Sequence, residues 1–325
     1  IGIQLTKNPR KYKTLLSVLK SELDITNELE FIHIPTDEEL KNILSNLDIL
    51  TTYHIRKTSL VCASDQLKWI HFGVAGLEKN LFPELLNSKT IITNASGIHA
   101  GPVSEFVIAA ILYFSKRIKD SQEFMLSTTW KQWEVAKQII QLKGKTLGII
   151  GFGSLGKAIA NKAKAFDMKV IATRRLQKKV EHKKIVDDLI PLSNLSHLLK
   201  SSDFVVIACP LTPLTKGMIS KKELSQMKTS AFIINVARGP IIKEAELINA
   251  LEKKTIAGAA LDVFDTEPLP KGSPLFTLDN VFLTPHISGN FLEYQHELVV
   301  QFADNLNRYL SGKSLKNRVC KKRLY

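Results

Sequence analysis

Residues 145–160 have the sequence KTLGIIGFGSLGKAIA. An apolar run, Thr146–Ile150, leads into the glycine pattern G-x-G-x-x-G, and helix-forming residues follow it. In this strand–turn–helix context Gly151 permits a tight turn, Gly153 lets a pyrophosphate approach the backbone, and Gly156 lets helix and strand pack closely. The start of the helix would present free N–H groups to the anion. The pattern therefore predicts a Rossmann unit that binds a dinucleotide.

Short apolar runs alternate with helical patterns along almost the whole chain. This alternation predicts an α/β fold with parallel sheets. Runs without polar interruption, such as residues 204–208, are typical of sheets that are covered on both faces. The runs lie at residues 1–5, 47–50, 69–72, 90–93, 146–150, 170–172, 204–208, 232–236, 257–261 and 281–284.

Two apolar helices are predicted on either side of the nucleotide-binding segment. One covers about residues 100–118 and the other about residues 291–310, with Gly312 just after its end. The simplest explanation is a domain inserted into another domain, with the helices at the crossings. We therefore predict two doubly wound, parallel-sheet domains. Residues 99–287 form a Rossmann domain, which is inserted into a discontinuous, flavodoxin-like domain of residues 1–98 and 288–325.

The composition is that of a globular protein, with 44% hydrophobic residues and no apolar run long enough for a bilayer. The cysteines, Cys62, Cys209 and Cys320, are far apart, which favours neither a disulfide framework nor a metal site and predicts a cytoplasmic location.

Lys and Arg outnumber Asp and Glu by 45 to 31, a net charge of +14. Because the basic residues are mostly scattered lysines, we interpret them as a solvated surface and predict neither a nucleic-acid nor a membrane partner.

The second strand of the Rossmann unit ends in Thr173, Arg174 and Arg175. Enzymes that use NAD place an acidic side chain near this point, where it holds the ribose 2′-hydroxyl. A carboxylate would repel a 2′-phosphate, whereas two guanidinium groups and a hydroxyl would bind it through charge-assisted hydrogen bonds. The sequence therefore predicts a preference for NADP(H) over NAD(H). The alternative interpretation is a solvated pair of arginines.

Three polar side chains follow predicted strands of the same segment: Arg238, Glu267 and His286. Open parallel sheets bind ligands beyond the carboxyl ends of their strands. The set suits a 2-oxo acid, whose carbonyl oxygen becomes an alkoxide as a hydride arrives. Arg238 can bind the carboxylate and polarise the carbonyl. His286 can deliver the proton, and Glu267 can fix the tautomer of the imidazole.

The chain resembles the D-isomer-specific 2-hydroxyacid dehydrogenases over essentially its whole length. The resemblance rests on residues 73–77 (GVAGL), 94–100 (NASGIHA), 142–153 (LKGKTLGIIGFG), 210–215 (PLTPLT), 235–239 (NVARG), 261–269 (LDVFDTEPL) and 284–286 (TPH). It implies an NAD(P)-dependent enzyme that moves a hydride to or from a small D-2-hydroxy or 2-oxo acid.

The resemblance also implies roles for individual residues. Arg238, Glu267 and His286 correspond to the catalytic set of the family, and Asp262 to the residue that binds the nicotinamide carboxamide. The other residues assigned to the cofactor site, from the glycine pattern, the strand ends or the resemblance, are Gly151, Gly153, Ser154, Leu155, Gly156, Thr173, Arg174, Arg175, Cys209, Pro210, Thr215, Val236, Ala237, Ser288 and Gly289.

Ala75 and Gly76 are similar to the family's loop whose backbone N–H groups hold the substrate carboxylate. The discontinuous domain is therefore expected to bind the substrate. Arg174 replaces the usual acidic residue, which supports NADP(H). His99 stands where many members carry Asn, and Tyr53 lies in a loop expected to face the substrate. These departures leave the physiological acid open.

Trp130 and Trp133 precede the nucleotide-binding segment, where members of the family use an arm for dimer contacts. We therefore predict a homodimer, although the two side chains could instead cover a helix of their own chain. A dinucleotide-sensing binding protein or corepressor on the same fold is the alternative to an enzyme. The presence of all three catalytic side chains favours the enzyme.

Overall fold

The structure, a computed structural model, describes residues 1–24, 28–60 and 66–322. Cys62 lies outside the described residues. The chain forms two compact units, Ile1–Ile98 with Phe291–Tyr325, and His99–Asn290. The second crossing between them follows Asn290, whereas the sequence predicts it before residue 288. Residues 288–290 belong to the second unit because Ser288 is bound to Asp262, and the Gly289 carbonyl accepts a hydrogen bond from His99 Nδ1.

The first unit is built on a parallel sheet. Its strands are β1 (Gly2–Gln4), β2 (Ile32–His33), β3 (Ile49–Thr52), β4 (Trp69–Phe72) and β5 (Ile91–Asn94). The helices between them are α1 (Pro9–Ser21), α2 (Asp37–Ile43), α3 (Lys57–Leu60) and α4 (Pro83–Asn87), with a 3-10 turn at Leu44–Asn46. The described strands pair in the order β2-β1-β3-β4-β5, which is the flavodoxin-like order. All residues of β3 and β4 are buried, as in a sheet covered on both faces.

The second unit begins with helices α5 (Ala100–Ser115), α6 (Ile118–Ser127) and α7 (Gln132–Ala136). Its strands are β6 (Thr146–Ile150), β7 (Lys169–Arg174), β8 (Glu181–Lys183), β9 (Val186–Pro191), β10 (Phe204–Ile207), β11 (Phe232–Asn235), β12 (Gly258–Leu261) and β13 (Val281–Leu283). Its other helices are α8 (Ser154–Lys164), α9 (Leu195–Ser201), α10 (Lys221–Leu224) and α11 (Glu244–Glu252), with 3-10 turns at Leu192–Asn194, Gly239–Ile241 and Pro274–Phe276. Helix α12 (Tyr294–Leu310) then belongs to the first unit.

The described strands of the second unit pair in the order β13-β12-β11-β10-β6-β7-β9-β8. The neighbours are parallel except at one edge, where β8 runs antiparallel to β9. The strand order reverses between β6 and β10, and dinucleotides bind beyond the carboxyl ends of strands at such a point. The predicted α/β class with two Rossmann-like domains is confirmed.

His71 on β4 is a buried titratable group of the first unit. Its ring packs 5.5 Å from that of Phe302, and its Nδ1 lies 2.8 Å from Thr93 Oγ1. The same hydroxyl accepts a hydrogen bond from Trp69 Nε1 at 2.8 Å. Burial lowers the pKa of His71 to about 3, because the surroundings do not solvate an imidazolium.

We expect this histidine to make the first unit sensitive to acid. In the unfolded chain its pKa is about 6.5, so the unfolded state binds the extra proton between that value and about 3. The contribution of neutral His71 to the free energy of unfolding is therefore fully present above about pH 6.5. It decreases by roughly 1.4 kcal/mol for each pH unit below that value. Thermal unfolding of wild type and His71→Asn from pH 4 to pH 7 measures this. An equally steep loss of stability in the variant would show that another group is responsible.

Candidate active site

The glycine turn after β6 is shaped by close backbone contacts. Gly151 has φ of +106°, and a Cβ on it would lie 2.8 Å from the carbonyl oxygen of Ala208. A Cβ on Gly156 would lie 2.1 Å from the carbonyl oxygen of Gly151. Both positions therefore require glycine, since a side chain would push β6, α8 or the loop after β10 out of place. A Cβ on Gly153, in contrast, would meet open space.

The N-terminus of α8 faces the space beside Gly153, its N-cap residue. Within the described part of the chain, no side chain caps this end of the helix. The first N–H groups of a helix have no partner inside the helix, and the helix dipole favours an anion at this end. An open cradle next to uncapped N–H groups fits the pyrophosphate of a dinucleotide.

The strand β7 ends beside this cradle, and the residues at its end differ in their exposure to solvent. Arg174 and Arg175 are exposed, whereas Thr173 is only 1% exposed. The carbonyl of Thr173 accepts a hydrogen bond from Gly151 N at 3.2 Å. The two arginines that the sequence singled out are thus at the surface, but the threonine hydroxyl is inside the fold. Position explains the difference, because Thr173 lies within the buried run of β7 (residues 170–173), whereas Arg174 is the last residue of the strand and Arg175 follows it.

The loop after β11 carries Arg238 and is organised by Asn235. The buried Asn235 side chain accepts a hydrogen bond from Ala237 N at 3.1 Å and donates one to the Arg238 carbonyl at 3.0 Å. The half-buried Arg238 donates from Nη1 to the Ala237 carbonyl at 2.7 Å. A Cβ on Gly239 would lie 1.9 Å from the carbonyl carbon of Phe264, so the loops after β11 and β12 are in direct contact.

Glu267 and His286 form a hydrogen-bonded pair. His286 Nδ1 lies 2.8 Å from Glu267 Oε2, and Phe264 N donates to Glu267 Oε1 at 3.1 Å. Partial burial would raise the pKa of Glu267, but the hydrogen bonds from His286 and Phe264, together with the charge of Arg238, outweigh it and lower this pKa. An ionised carboxylate only accepts hydrogen bonds, so Nδ1 of His286 carries the hydrogen. Its Nε2 is left for another partner.

Asp262 follows β12 and has no exposed surface. Its Oδ1 accepts hydrogen bonds from Thr284 Oγ1 at 2.6 Å and Ile287 N at 2.8 Å. Its Oδ2 accepts from Ser288, from N at 3.0 Å and from Oγ at 2.5 Å. All four donors belong to the loop that contains His286. The backbone of His286 itself is left-handed, with a φ of 54°.

The remaining residues predicted to contact the cofactor line the same carboxyl edge. Thr215 is 8% exposed, and its hydroxyl donates to the Pro210 carbonyl at 2.7 Å, which folds the loop after β10. Val236 and Ala237 are buried at the end of β11. Burial raises the pKa of the Cys209 thiol to about 12, so this side chain stays neutral at physiological pH.

In the first unit, Ala75 and Gly76 lie in a loop whose backbone accepts hydrogen bonds from two side chains. Asn94 Nδ2 donates to the Ala75 carbonyl at 2.7 Å. The hydroxyl of Tyr294, on α12, donates to the carbonyl of Gly73 at 2.5 Å. Gln295 Nε2 donates to the hydroxyl of Tyr53 at 2.9 Å. The start of α12 thus fixes the beginning of this loop.

Residues 108–288 match the family described as D-isomer specific 2-hydroxyacid dehydrogenase, NAD binding domain. The chain belongs to the D-isomer-specific 2-hydroxyacid dehydrogenases. A glyoxylate reductase from Thermofilum pendens is 34% identical over 304 residues, which cover 91% of this chain and 88% of that protein. The family resemblance inferred from the sequence motifs is confirmed.

Solved structures agree with this membership. A D-isomer specific 2-hydroxyacid dehydrogenase family protein from Aeromonas salmonicida superposes with a TM-score of 0.82 at 26% identity, covering 98% of each chain. A D-isomer specific 2-hydroxyacid dehydrogenase from Xanthobacter autotrophicus, solved with NADPH and MES, superposes with a TM-score of 0.81 at 25% identity, covering 100% of this chain and 98% of that one. The chain is therefore an oxidoreductase, an NAD(P)-dependent 2-hydroxyacid dehydrogenase. No helix within the described ranges is long and apolar enough to cross a membrane.

Several residues that shape the loops of the candidate site were not singled out by the sequence. Asn235 lies inside a stretch that carries the resemblance, and its place directly before the loop of Arg238 is the signal that could have identified it. Thr284 could have been found in the same way, because it lies in another such stretch, directly after β13. Tyr294 and Gln295 leave no such signal, since their partners are more than 200 residues away in the chain.

Proposed function

We propose that the enzyme transfers a hydride between NADP(H) and a small 2-oxo or D-2-hydroxy acid. The observation that carries the proposal is the hydrogen-bonded pair of His286 and Glu267, which lies close enough to Arg238 for its charge to act on the carboxylate. Arg238 binds the substrate carboxylate and polarises the carbonyl, His286 is the general acid or base, and Glu267 orients His286.

When bound, the nicotinamide supplies or accepts the hydride at the carbon that bears the substrate oxygen. During reduction, negative charge develops on that oxygen, and the guanidinium of Arg238 stabilises it. Nε2 of His286 gives its proton to the oxygen, while Nδ1 keeps its hydrogen bond to Glu267. The ionised Glu267 compensates the positive charge of the imidazolium before the transfer. In the oxidative direction His286 takes the proton from the hydroxyl.

We propose that the backbone N–H groups of Ala75 and Gly76, in the first unit, bind a substrate carboxylate. The bonds from Asn94 and Tyr294 support this assignment, because they occupy carbonyl groups of the same loop and hold the backbone in one conformation. The first unit is accordingly the substrate-binding domain and the second unit the cofactor-binding domain. Preorganised N–H groups bind an anion without the cost of ordering a loop.

NADP(H) is the proposed cofactor because Arg174 and Arg175 are both exposed at the end of β7, beside the glycine turn. The solved enzyme from Xanthobacter autotrophicus holds NADPH, which agrees with this preference. Thr173 is left out of the phosphate site because its side chain is inside the fold. The pyrophosphate is assigned to Gly153, Ser154 and Leu155 at the start of α8.

We expect the ratio of kcat/KM to favour NADPH over NADH by roughly 30- to 1000-fold. Because the site is solvated, each guanidinium contact is expected to contribute a free energy at the low end of the range for charge-assisted hydrogen bonds. Two contacts then contribute about 2–4 kcal/mol. Arg174→Asp should reverse the preference, because the new carboxylate repels a 2′-phosphate and accepts from the ribose hydroxyl of NADH. The ratio in wild type should shrink as salt rises. Equal kcat/KM values for both cofactors in the wild type would contradict the proposed role of the two arginines and show that they are ordinary surface residues.

We also propose a homodimer, whose contacts involve the arm formed by residues 118–136. The arm exposes large apolar side chains, and soluble monomers rarely leave such patches uncovered. These side chains are Phe124, Met125, Leu126, Trp130 and Trp133. Trp130 and Trp133 are 75% and 73% exposed, although the ring of Trp130 also packs edge-on against Phe124 of α6, 5.6 Å between centroids.

A second copy of the chain would bury the arm, and removing its indoles should therefore weaken the dimer. Light scattering is expected to give twice the 36.4 kDa chain mass for wild type and a shift towards the monomer for Trp130→Ser with Trp133→Ser. Leu292→Ser is the matched control, because Leu292 is 99% exposed but lies outside the arm. A monomeric wild type at micromolar concentration would refute the proposal.

The activity itself is tested by NADPH consumption with a panel of 2-oxo acids that includes glyoxylate, hydroxypyruvate and longer members. We expect turnover with at least one small acid, and the order of kcat/KM values identifies the size of acid that the site accepts. Tight binding of NADPH without turnover of any acid would instead support a dinucleotide-sensing protein on the same fold.

A further inference from the structure

Two neighbouring peptide groups of the loop after β4 are bonded to the loop after β5. The Val74 carbonyl accepts a hydrogen bond from Ala95 N at 3.1 Å. The Ala75 carbonyl accepts one from Asn94 Nδ2 at 2.7 Å. In a trans peptide the N–H points away from the carbonyl of the same plane. The N–H groups of Ala75 and Gly76 belong to these two peptides, so both point away from residues 94 and 95.

These two N–H groups are donors without a partner among the residues that the structure describes. Ala75 and Gly76 are half-buried. Successive N–H groups on one side of the backbone form a concave site for an anion. A carboxylate, which only accepts hydrogen bonds, suits such a pair of donors.

The orientation of the Asn94 amide is fixed by two opposite requirements. Its Nδ2 donates to the Ala75 carbonyl, and its Oδ1 accepts a hydrogen bond from Ser96 N at 3.3 Å. Exchanging the two amide atoms would place an acceptor against an acceptor and a donor against a donor. Asn94 is only 7% exposed, which leaves little room for water to replace either bond.

The backbone around Asn94 is held in turn by more distant residues of the same unit. Asn94 N donates to the Asn317 carbonyl at 3.3 Å. The Ser96 carbonyl accepts hydrogen bonds from Asn317 Nδ2 at 2.7 Å and from Gln301 Nε2 at 3.0 Å. The amide that faces the loop after β4 therefore projects from a backbone with fixed geometry.

We propose that Asn94 is a positioning residue for the substrate carboxylate. By holding the Ala75 carbonyl, it aims the N–H of Gly76 to the same side as the N–H of Ala75, and the two groups together bind one carboxylate. Asn94 acts through the backbone of this loop and does not contact the substrate. The inference rests on the proposed function, because the two N–H groups are those assigned to the substrate.

A positioning role predicts a defect in substrate binding alone. Asn94→Ala removes the hydrogen bond that orients the Ala75 carbonyl, so KM for a 2-oxo acid should rise roughly 10-fold, the effect of losing one bond to a charged group. The carboxylate is bound in the ground state and in the transition state alike, so kcat should change by less than about 3-fold. The Kd of NADPH should stay the same, because the cofactor is assigned to the second unit.

Asn94→Asp should raise KM further than Asn94→Ala does. An ionised carboxylate in this place would face the Ala75 carbonyl oxygen, and acceptors cannot bond to each other. Rotation of that peptide would relieve the repulsion, but it would turn the N–H of Gly76 towards the new carboxylate and away from the substrate. The two variants differ in size and charge, so either one tests the proposal if the other does not fold.

Asn305→Ala is the matched control, because Asn305 is also a buried asparagine of the first unit. Its Nδ2 donates to the Lys316 carbonyl at 3.1 Å, and its Oδ1 accepts from Lys316 N at 2.8 Å. This variant therefore also loses two bonds to the backbone, but neither bond reaches the loop after β4. We expect it to lower Tm as Asn94→Ala does, without raising KM.

The experiment measures the Kd of oxalate for each protein saturated with NADPH, by the fluorescence of the nicotinamide, together with kcat, KM and Tm. Oxalate is the probe because it offers a carboxylate and its binding requires no turnover. We expect its Kd to rise in the order wild type, Asn94→Ala, Asn94→Asp, with Asn305→Ala equal to wild type.

A raised Kd in Asn94→Asp alone would show only the effect of a new charge, and equal rises in Asn94→Ala and Asn305→Ala would show a general loosening of the unit. Either result would overturn the inference, as would a wild type that binds no oxalate at millimolar concentration. A wild type that binds oxalate but reduces no 2-oxo acid would instead refute the proposed function, and the oxalate series would still decide the role of Asn94.

Discussion

Replacing His286 with alanine is expected to lower kcat by about 10²- to 10⁴-fold, the usual contribution of a positioned general acid. The imidazole is half exposed, and its Nδ1 is bound to Glu267 at 2.8 Å. Its Nε2 is therefore the group that can reach a substrate oxygen. The affinity for NADPH should change little, because the proposed cofactor contacts lie at the glycine turn and at Arg174. Steady-state kcat and the Kd of NADPH measure the two effects separately.

Glu267→Gln is the matched comparison for this variant. It keeps the size of the side chain and removes the charge that compensates the imidazolium, so we expect a smaller loss than in His286→Ala. The lowered pKa of Glu267 means that the carboxylate of the native enzyme is ionised throughout the neutral range. A folded His286→Ala enzyme with near-normal kcat would show that another group donates the proton.

Replacing Arg238 with alanine is expected to lower kcat/KM by roughly 10³-fold or more for every 2-oxo acid that the enzyme accepts. Loss of a charge-assisted bond to the carboxylate costs about 1.5–3 kcal/mol in binding. Loss of a donor to the developing alkoxide costs about a further 10²–10³ in kcat. The measurement is kcat and KM for the best substrate, because we expect kcat to fall and KM to rise.

Arg238→Lys separates charge from geometry. Lysine keeps the positive charge but cannot form the bidentate contact of a guanidinium, so we expect activity between that of wild type and of Arg238→Ala. Asn235 holds the Arg238 backbone in both variants through its two side-chain bonds, although both substitutions remove the bond from Arg238 Nη1 to the Ala237 carbonyl. An unchanged kcat/KM in Arg238→Ala would remove Arg238 from the proposed site.

The features predicted best from the sequence are those with a local cause. The strand at Thr146–Ile150 was predicted from its apolar run, and the Rossmann turn from its glycines. Arg238, Glu267 and His286 follow strands, and parallel strands bring such residues to one edge of a sheet. The helix predicted at about 100–118 ends at Ser115, because Arg117 has a φ of 55° that breaks it.

The features that were not predicted depend on distant parts of the chain. Strand β2 has two residues, too few for a recognisable apolar run, and β9 contains Asp187 and Asp188. The hydrogen bond between Tyr294 and Gly73 joins residues 221 positions apart, and no local sequence pattern predicts it. The hydrogen bonds that the Asp262 carboxylate accepts come from a loop about 25 residues further along the chain, which the resemblance alone did not suggest.

The most direct test of hydride transfer at this site is the fate of deuterium from NADPH labelled at the nicotinamide C4. The purified enzyme would reduce a 2-oxo acid longer than glyoxylate, so that the product is chiral, and the label would be located by NMR. We expect deuterium on C2 of a 2-hydroxy acid of the D configuration, formed by wild type and almost absent with His286→Ala. Product of the L configuration, or product without deuterium at C2 from either face of the labelled cofactor, would contradict it.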